Sequence, residues 1–163
     1  MMNGEKLDIE KIVEFLRQHR LMVATAESCT AGLVAAMLVD IPGCGDVLEG
    51  GFITYSQDAK KKYLGVSREV MDSAGLTSEA VARELIKGLQ GNTNGSFLIA
   101  VTGTAESDDE LCGLVCFAYG LRIDAQVKIF SESRRFEGDR NEVRKAAALH
   151  ALQSIPHIYR KLS

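Results

Sequence analysis

The segment TAESCTAG, residues 25–32, sets Ser28 and Cys29 side by side between an apolar stretch and a run of small and apolar residues. Two roles fit Ser28. Ahead of a helix, its hydroxyl can accept from the unpaired N–H groups of the first turn, a position that favours serine. The same N–H groups can stabilise an oxyanion, which would make Ser28 a nucleophile, with Cys29 as its rival because a helix N-terminus acidifies a thiol. A nucleophilic hydroxyl needs a base, and none of His19, His150 and His157 stands in a recognisable arrangement with Ser28. TYSQDAKKKYLG supplies Tyr55 and the run Lys60, Lys61, Lys62 instead. A lysine becomes a base when desolvation or a neighbouring cation draws its pKa toward neutrality; the run equally fits a solvated basic turn.

Two further segments carry polar groups that could meet a ligand. In VTGTAESDDELCG, the Thr102-Gly103-Thr104 turn follows an apolar run and can offer backbone N–H groups to a phosphate. Ligands of open α/β sheets bind beyond the carboxyl ends of the strands, where this turn falls. Glu106, Asp108, Asp109 and Glu110 then place four carboxylates within five positions, a pattern that a solvated acidic loop also explains. In FEGDRNEVRKAA, Asp139 and Glu142 have capping-box spacing. Arg140 between them opposes the helix dipole, which an anionic ligand held by Arg140 and free N–H groups would offset; a surface arginine is the alternative.

Elements of α/β type must position these segments. Helical spacing of apolar residues runs over 8–19, followed by a short buried strand, LMVATA, and a small-residue helix over 29–40 that Pro42 and the glycines of IPGCG stop. VLEGGFITY reads as a strand whose Gly50-Gly51 pair marks a bulge or close backbone approach. A short helix over 57–64 closes at Gly65. Residues 78–90 form an amphipathic helix with Thr77 as its cap and Ala80, Val81, Leu85 and Leu89 inward. SFLIAVTG is a bounded apolar strand. GLVCFAYGL and AQVKIFSE are too close for a crossover helix and should pair antiparallel. A last helix spans 139 to about 154, with Pro156 ending the helix between His150 and His157. The expectation is one domain over residues 1–163, a three-layer α/β/α fold around a mixed, mostly parallel sheet of about five strands.

Composition narrows the function classes. The net charge of -3 gives no electrostatic case for nucleic acid. No apolar run approaches the roughly 20 residues that cross a bilayer, and the polar N-terminus does not resemble a signal peptide, so no membrane is expected and the location is cytoplasmic. Cys29, Cys44, Cys112 and Cys116 are sparse for a disulfide scaffold and match no metal spacing. Cys112 and Cys116 would share one buried face of a strand.

In this order, TAESCTAG, IPGCGDVLEGGFITYSQDAK, LGV, LTSEAVARELIKG, AVTG and FEGDRNEVR resemble the CinA C-terminal domain family, which includes stand-alone nicotinamide-nucleotide amidases. The resemblance covers residues from about 8 to 155. It implies hydrolysis of the carboxamide of nicotinamide mononucleotide, with Ser28 as nucleophile, Lys60 as base and Tyr55 beside it. It also implies substrate contacts from Cys29, Thr30, Thr102, Gly103, Thr104 and Arg140, and no metal or organic cofactor. The partner is thus a small nucleotide, and a homo-oligomer is compatible with so small a domain. Three departures stand out: Ala31 replaces a family glycine, Gln57 an asparagine, and the acidic TGTAESDDELCG a longer glycine-rich loop. Four acids near a phosphate-bearing substrate would weaken its binding by tenfold or more, at about 1 kcal/mol each. The loop therefore also supports a second reading, a divergent relative that keeps the fold and only binds a ligand or partner.

Overall fold

The computed structural model describes residues 3–163. Its strands β1 (Val23–Glu27), β2 (Leu48–Ile53), β3 (Phe97–Gly103), β4 (Leu114–Ile123) and β5 (Gln126–Arg135) form one sheet in the order β2-β1-β3-β4-β5. Strand β1 is parallel to β2 and β3, whereas β4 is antiparallel to both β3 and β5. Four strands therefore share a direction and β4 alone opposes them, although only two of the four pairings are parallel. The described helices are α1 (Asn3–Gln18), α2 (Leu33–Val39), α3 (Gln57–Leu64), α4 (Arg68–Ala74), α5 (Glu79–Asn92), α6 (Arg140–Gln153) and α7 (Ile155–Leu162).

Alternation along β3 sorts the core into two layers. Phe97, Ile99 and Val101 pack with Ile9 and Leu16 of α1, Val34 and Leu38 of α2, Ala147 of α6 and Ile158 of α7. Leu98 and Ala100 face the other way, with Ala24, Ala26 and Ala118, against Val81, Leu85, Ile86 and Leu89 of α5. The small side chains on that face let α5 lie close to the sheet. Gly88 does the same between helices, since a Cβ there would meet the Leu64 carbonyl oxygen at 2.2 Å. α5 is thereby seated against the end of α3, the helix that carries Lys60.

The expected helix over 29–40 begins later, at Leu33, because Ala31 (φ 49) and Gly32 (φ 93) turn through the left-handed region first. Ser28 is therefore not its cap. α5 is capped by Ser78, whose hydroxyl accepts from Val81 N–H, rather than by Thr77, and Ala80 is exposed. Cys112 lies in an exposed turn before β4, so it does not share the buried face of Cys116. Two short helices, α4 and α7, had no sequence expectation. The capping box at Asp139 and Glu142 is present, as is the left-handed Gly65 that closes α3.

Candidate active site

Strand register gathers the candidate residues at one edge. Glu27 of β1 lies opposite Ile53 of β2 and Val101 of β3, so the chain leaves β1 and β2 into Ser28 and Thr54 side by side, level with Thr102 near the end of β3. Ser28 N–H donates to Val101 O (2.9 Å) and Thr54 N–H to Glu27 O (2.8 Å), which extends the sheet one residue further. Gly51 allows this tight pairing: a Cβ there would come within 2.2 Å of Thr25 Oγ1.

From the first turn and a half of α3, Lys60 reaches back under the sheet edge. It is 1% exposed, and its Nζ lies 2.9 Å from Ser28 Oγ, 2.7 Å from Thr54 O and 3.2 Å from Tyr55 O. Burial draws its pKa down from 10.5 to about 8, only partly countered by the nearby Cys29 thiol. A neutral amine has two N–H bonds and one lone pair. Two fixed carbonyls take the N–H bonds, which leaves the lone pair aimed at the Ser28 hydroxyl. Lys61 and Lys62 are exposed on the outer side of α3. Burial pushes the thiol of Cys29, the rival nucleophile, up to about 11 despite its own and Thr30's N–H groups and the charges of Lys60 and Arg144.

The turn after Ser28 differs from a helix N-terminus open to an anion. The carboxylate of Glu27, 1% exposed, accepts from Gly32 N–H (2.8 Å), Val34 N–H (3.1 Å), Ala35 N–H (3.0 Å) and Thr25 Oγ1 (3.2 Å). Glu27 thus saturates the first turn of α2. The N–H groups of Cys29 and Thr30 make no backbone hydrogen bond among the described residues and lie against the Cys29 thiol. Any oxyanion donors here belong to the turn before the helix.

A cleft of about 240 Å³ opens onto this arrangement, lined by Ser28, Cys29, Tyr55, Lys60, Thr102, Gly103, Thr104 and Arg140, and also by Leu76, Thr77, Ala105 and Glu106. Thr30 is not in its wall: the residue is fully buried and its hydroxyl lacks a partner among the described residues. Arg140 donates to the Tyr55 hydroxyl (2.9 Å), so the tyrosine side chain is turned to Arg140 and only its backbone oxygen serves Lys60. Thr102 and Gly103 are still strand and Thr104 follows directly, so the segment does not form an anion cradle. Thr104 N–H donates to Leu114 O (2.9 Å), Thr102 Oγ1 donates to Leu76 O (2.9 Å), and the Thr77 and Thr104 hydroxyls pair at 2.8 Å.

Of the four loop acids, Glu106 alone lines the cleft. Asp109 folds onto its own loop, accepting from Ser107 Oγ (2.7 Å) and Leu111 N–H (2.9 Å), and these bonds hold its carboxyl below the usual range. Arg135 anchors the loop by donating to Glu110 O (2.7 Å) and to Cys112 O. Sequence reasoning passed over Glu27 and Arg144, each of which holds the turn. A carboxylate at the end of an apolar strand was the signal for Glu27.

Residues 6–159 match the CinA C-terminal domain. A nicotinamide-nucleotide amidohydrolase PncC of Pseudomonas putida is 34% identical over 149 residues, covering 89% of this chain and 91% of that protein. A CinA-like protein of Fusobacterium nucleatum is 37% identical over 150 residues, 90% of this chain and 35% of that protein, so the chain spans about a third of such relatives' length. The crystal structure of competence/damage inducible protein CihA from Agrobacterium tumefaciens superposes with a TM-score of 0.89 at 31% identity, covering 98% of each chain. With the matched segment, the relatives and the shared architecture in agreement, the chain belongs to the CinA C-terminal domain family.

Proposed function

We propose that this chain hydrolyses the carboxamide of nicotinamide mononucleotide to nicotinic acid mononucleotide and ammonia, with Ser28 as nucleophile and Lys60 as base. The observation that carries the reading is the 2.9 Å contact between a buried, pKa-lowered Lys60 and Ser28 Oγ. Neutral Lys60 accepts the Ser28 proton as Oγ bonds to the amide carbon, and the carbonyl oxygen becomes an oxyanion beside the N–H of Cys29, which lines the cleft. Protonated Lys60 then gives its proton to the departing nitrogen, and ammonia leaves behind an ester on Ser28. Water attacks that ester while Lys60 takes its proton. Collapse expels Ser28 Oγ, which recovers its proton from Lys60.

Arg140 is the group suited to the phosphate, since it lines the cleft and its side-chain partner there is the Tyr55 hydroxyl rather than a carboxylate. Thr102, Gly103 and Thr104 also line the cleft and are the groups suited to shape the space around the ring and ribose. A ligand-binding relative without turnover is less well supported, because three of the four loop acids lie outside the cleft and the Ser28–Lys60 pair is intact. Ammonia release from nicotinamide mononucleotide by the purified protein tests the proposal. Release that Ser28→Ala abolishes supports it, and no release above that variant overturns it.

A further inference from the structure

Two threonines from different parts of the chain meet in the cleft: Thr77 from the loop between α4 and α5, and Thr104 from the position after β3. Both line the cleft, both are half-buried, and their hydroxyl oxygens lie 2.8 Å apart. A second contact seats the loop beside the strand, since Thr102 Oγ1 donates to Leu76 O (2.9 Å). Two threonine hydroxyls carry two hydrogens, and the bond between them uses one. The other hydrogen has no acceptor among the described residues, because neither hydroxyl makes a further hydrogen bond there. Neighbouring donors are already spent, Thr102 Oγ1 on Leu76 O and Thr104 N–H on Leu114 O (2.9 Å). The pair therefore presents one hydroxyl donor and its remaining lone pairs to the cleft, with each oxygen held in place by the other.

Chemistry decides which ligand atom meets this pair. Nicotinamide mononucleotide carries oxygens on its carboxamide, its ribose and its phosphate. In the reading above, the carboxamide belongs at Ser28 and the phosphate at Arg140. A phosphate beside the threonines would also meet Glu106, which lines the same cleft two residues beyond Thr104. A ribose hydroxyl is neutral, accepts from the free hydrogen and can return its own hydrogen to a lone pair of the threonines. We infer that Thr77 and Thr104 together form a specificity-determining subsite that hydrogen-bonds a ribose hydroxyl of the substrate. The inference rests on the nucleotide reading above, but it concerns binding and does not depend on turnover. One neutral hydrogen bond of this kind separates ligands by roughly 3- to 10-fold in affinity.

The test is calorimetric titration on a Ser28→Ala background, which keeps the amide intact, with nicotinamide mononucleotide and its 2′-deoxy and 3′-deoxy analogues. One deoxy analogue should bind roughly 3- to 10-fold more weakly than the parent nucleotide. Combining Thr77→Val with Thr104→Val keeps the side-chain shapes and removes both hydroxyls, and it should bring the two ligands to parity. Thr77→Ser with Thr104→Ser should retain the discrimination. A pair that only fastens the loop would, on valine substitution, weaken all three ligands alike. That result, no discrimination against either analogue before substitution, or no binding of nicotinamide mononucleotide would overturn the inference. Ammonia release by the protein with Ser28 intact is measured alongside: discrimination without release would defeat the amidase reading and leave the subsite standing. If the double valine variant does not fold, Thr77→Val and Thr104→Val decide singly: discrimination lost in either upholds the subsite, and discrimination unchanged in both overturns it.

Discussion

Raising the pH should switch the reaction on through Lys60. With its pKa at about 8, the free-amine fraction climbs from roughly 1% at pH 6 to roughly 90% at pH 9, so kcat/KM should rise roughly 90-fold and then level off. At pH 7 the lowered pKa supplies roughly 300 times more free amine than a lysine left at 10.5 would. The same shift is a stability statement. Between about 8 and 10.5 the unfolded chain binds a proton at Lys60 that the folded chain does not, so stability rises with pH across that window. Below it both states are protonated and the folded state carries the full cost of the buried charge, about 3 kcal/mol. Urea denaturation at about pH 7.5 and 9.5 should show wild type gaining about 2 kcal/mol relative to Lys60→Met, which has no such proton. A kcat/KM profile that is flat from pH 6 to 9, or that still rises tenfold per unit at pH 9, would refute the assignment.

Substitutions at three other positions probe the turn and the cleft. Ala31→Gly relieves a left-handed alanine and should stabilise the protein by up to about 1 kcal/mol in thermal or urea unfolding, since the strain removed exceeds the added chain entropy. Glu27→Ala strips three N–H groups at the start of α2 of their acceptor and should cost about 3 kcal/mol or more, with Glu27→Gln milder. Glu106→Gln removes the one loop carboxylate that lines the cleft and should lower KM for nicotinamide mononucleotide by roughly 2- to 5-fold, an effect that fades as salt is raised. An unchanged or higher KM would show that Glu106 does not meet the anionic end of the substrate.

Much of the site was legible in the sequence because its parts sit at element ends. Ser28, Thr54 and Thr102 follow apolar runs that read as strands, and parallel register alone brings them together. Ser56 and Gly65 frame α3 at both ends, which fixes the turn on which Lys60 stands; choosing Lys60 over its neighbours took the family pattern, and the structure supplies the reason in its burial. The caps were less legible. A serine before an apolar run reads as an N-cap, yet a carboxylate five residues ahead of Gly32 outcompetes it, because two left-handed residues delay the helix. Such a delay leaves no local pattern when one of those residues is alanine. Arg144 was hidden for another reason: its partners are carbonyls of residues 115 and 114 positions away, and carbonyls have no sequence signature. The acidic loop misled in the opposite direction, since adjacency in sequence suggested four charges at the substrate, whereas loop hydrogen bonds and Arg135 hold the segment so that three lie outside the cleft.

The most direct test of Ser28 as nucleophile is acid quench of the protein during turnover of nicotinamide mononucleotide, followed by mass mapping of its peptides alongside ammonia release. The account predicts an acyl adduct on Ser28, lost together with ammonia release in Ser28→Ala. An adduct on Cys29, or ammonia release undiminished in Ser28→Ala, would contradict it.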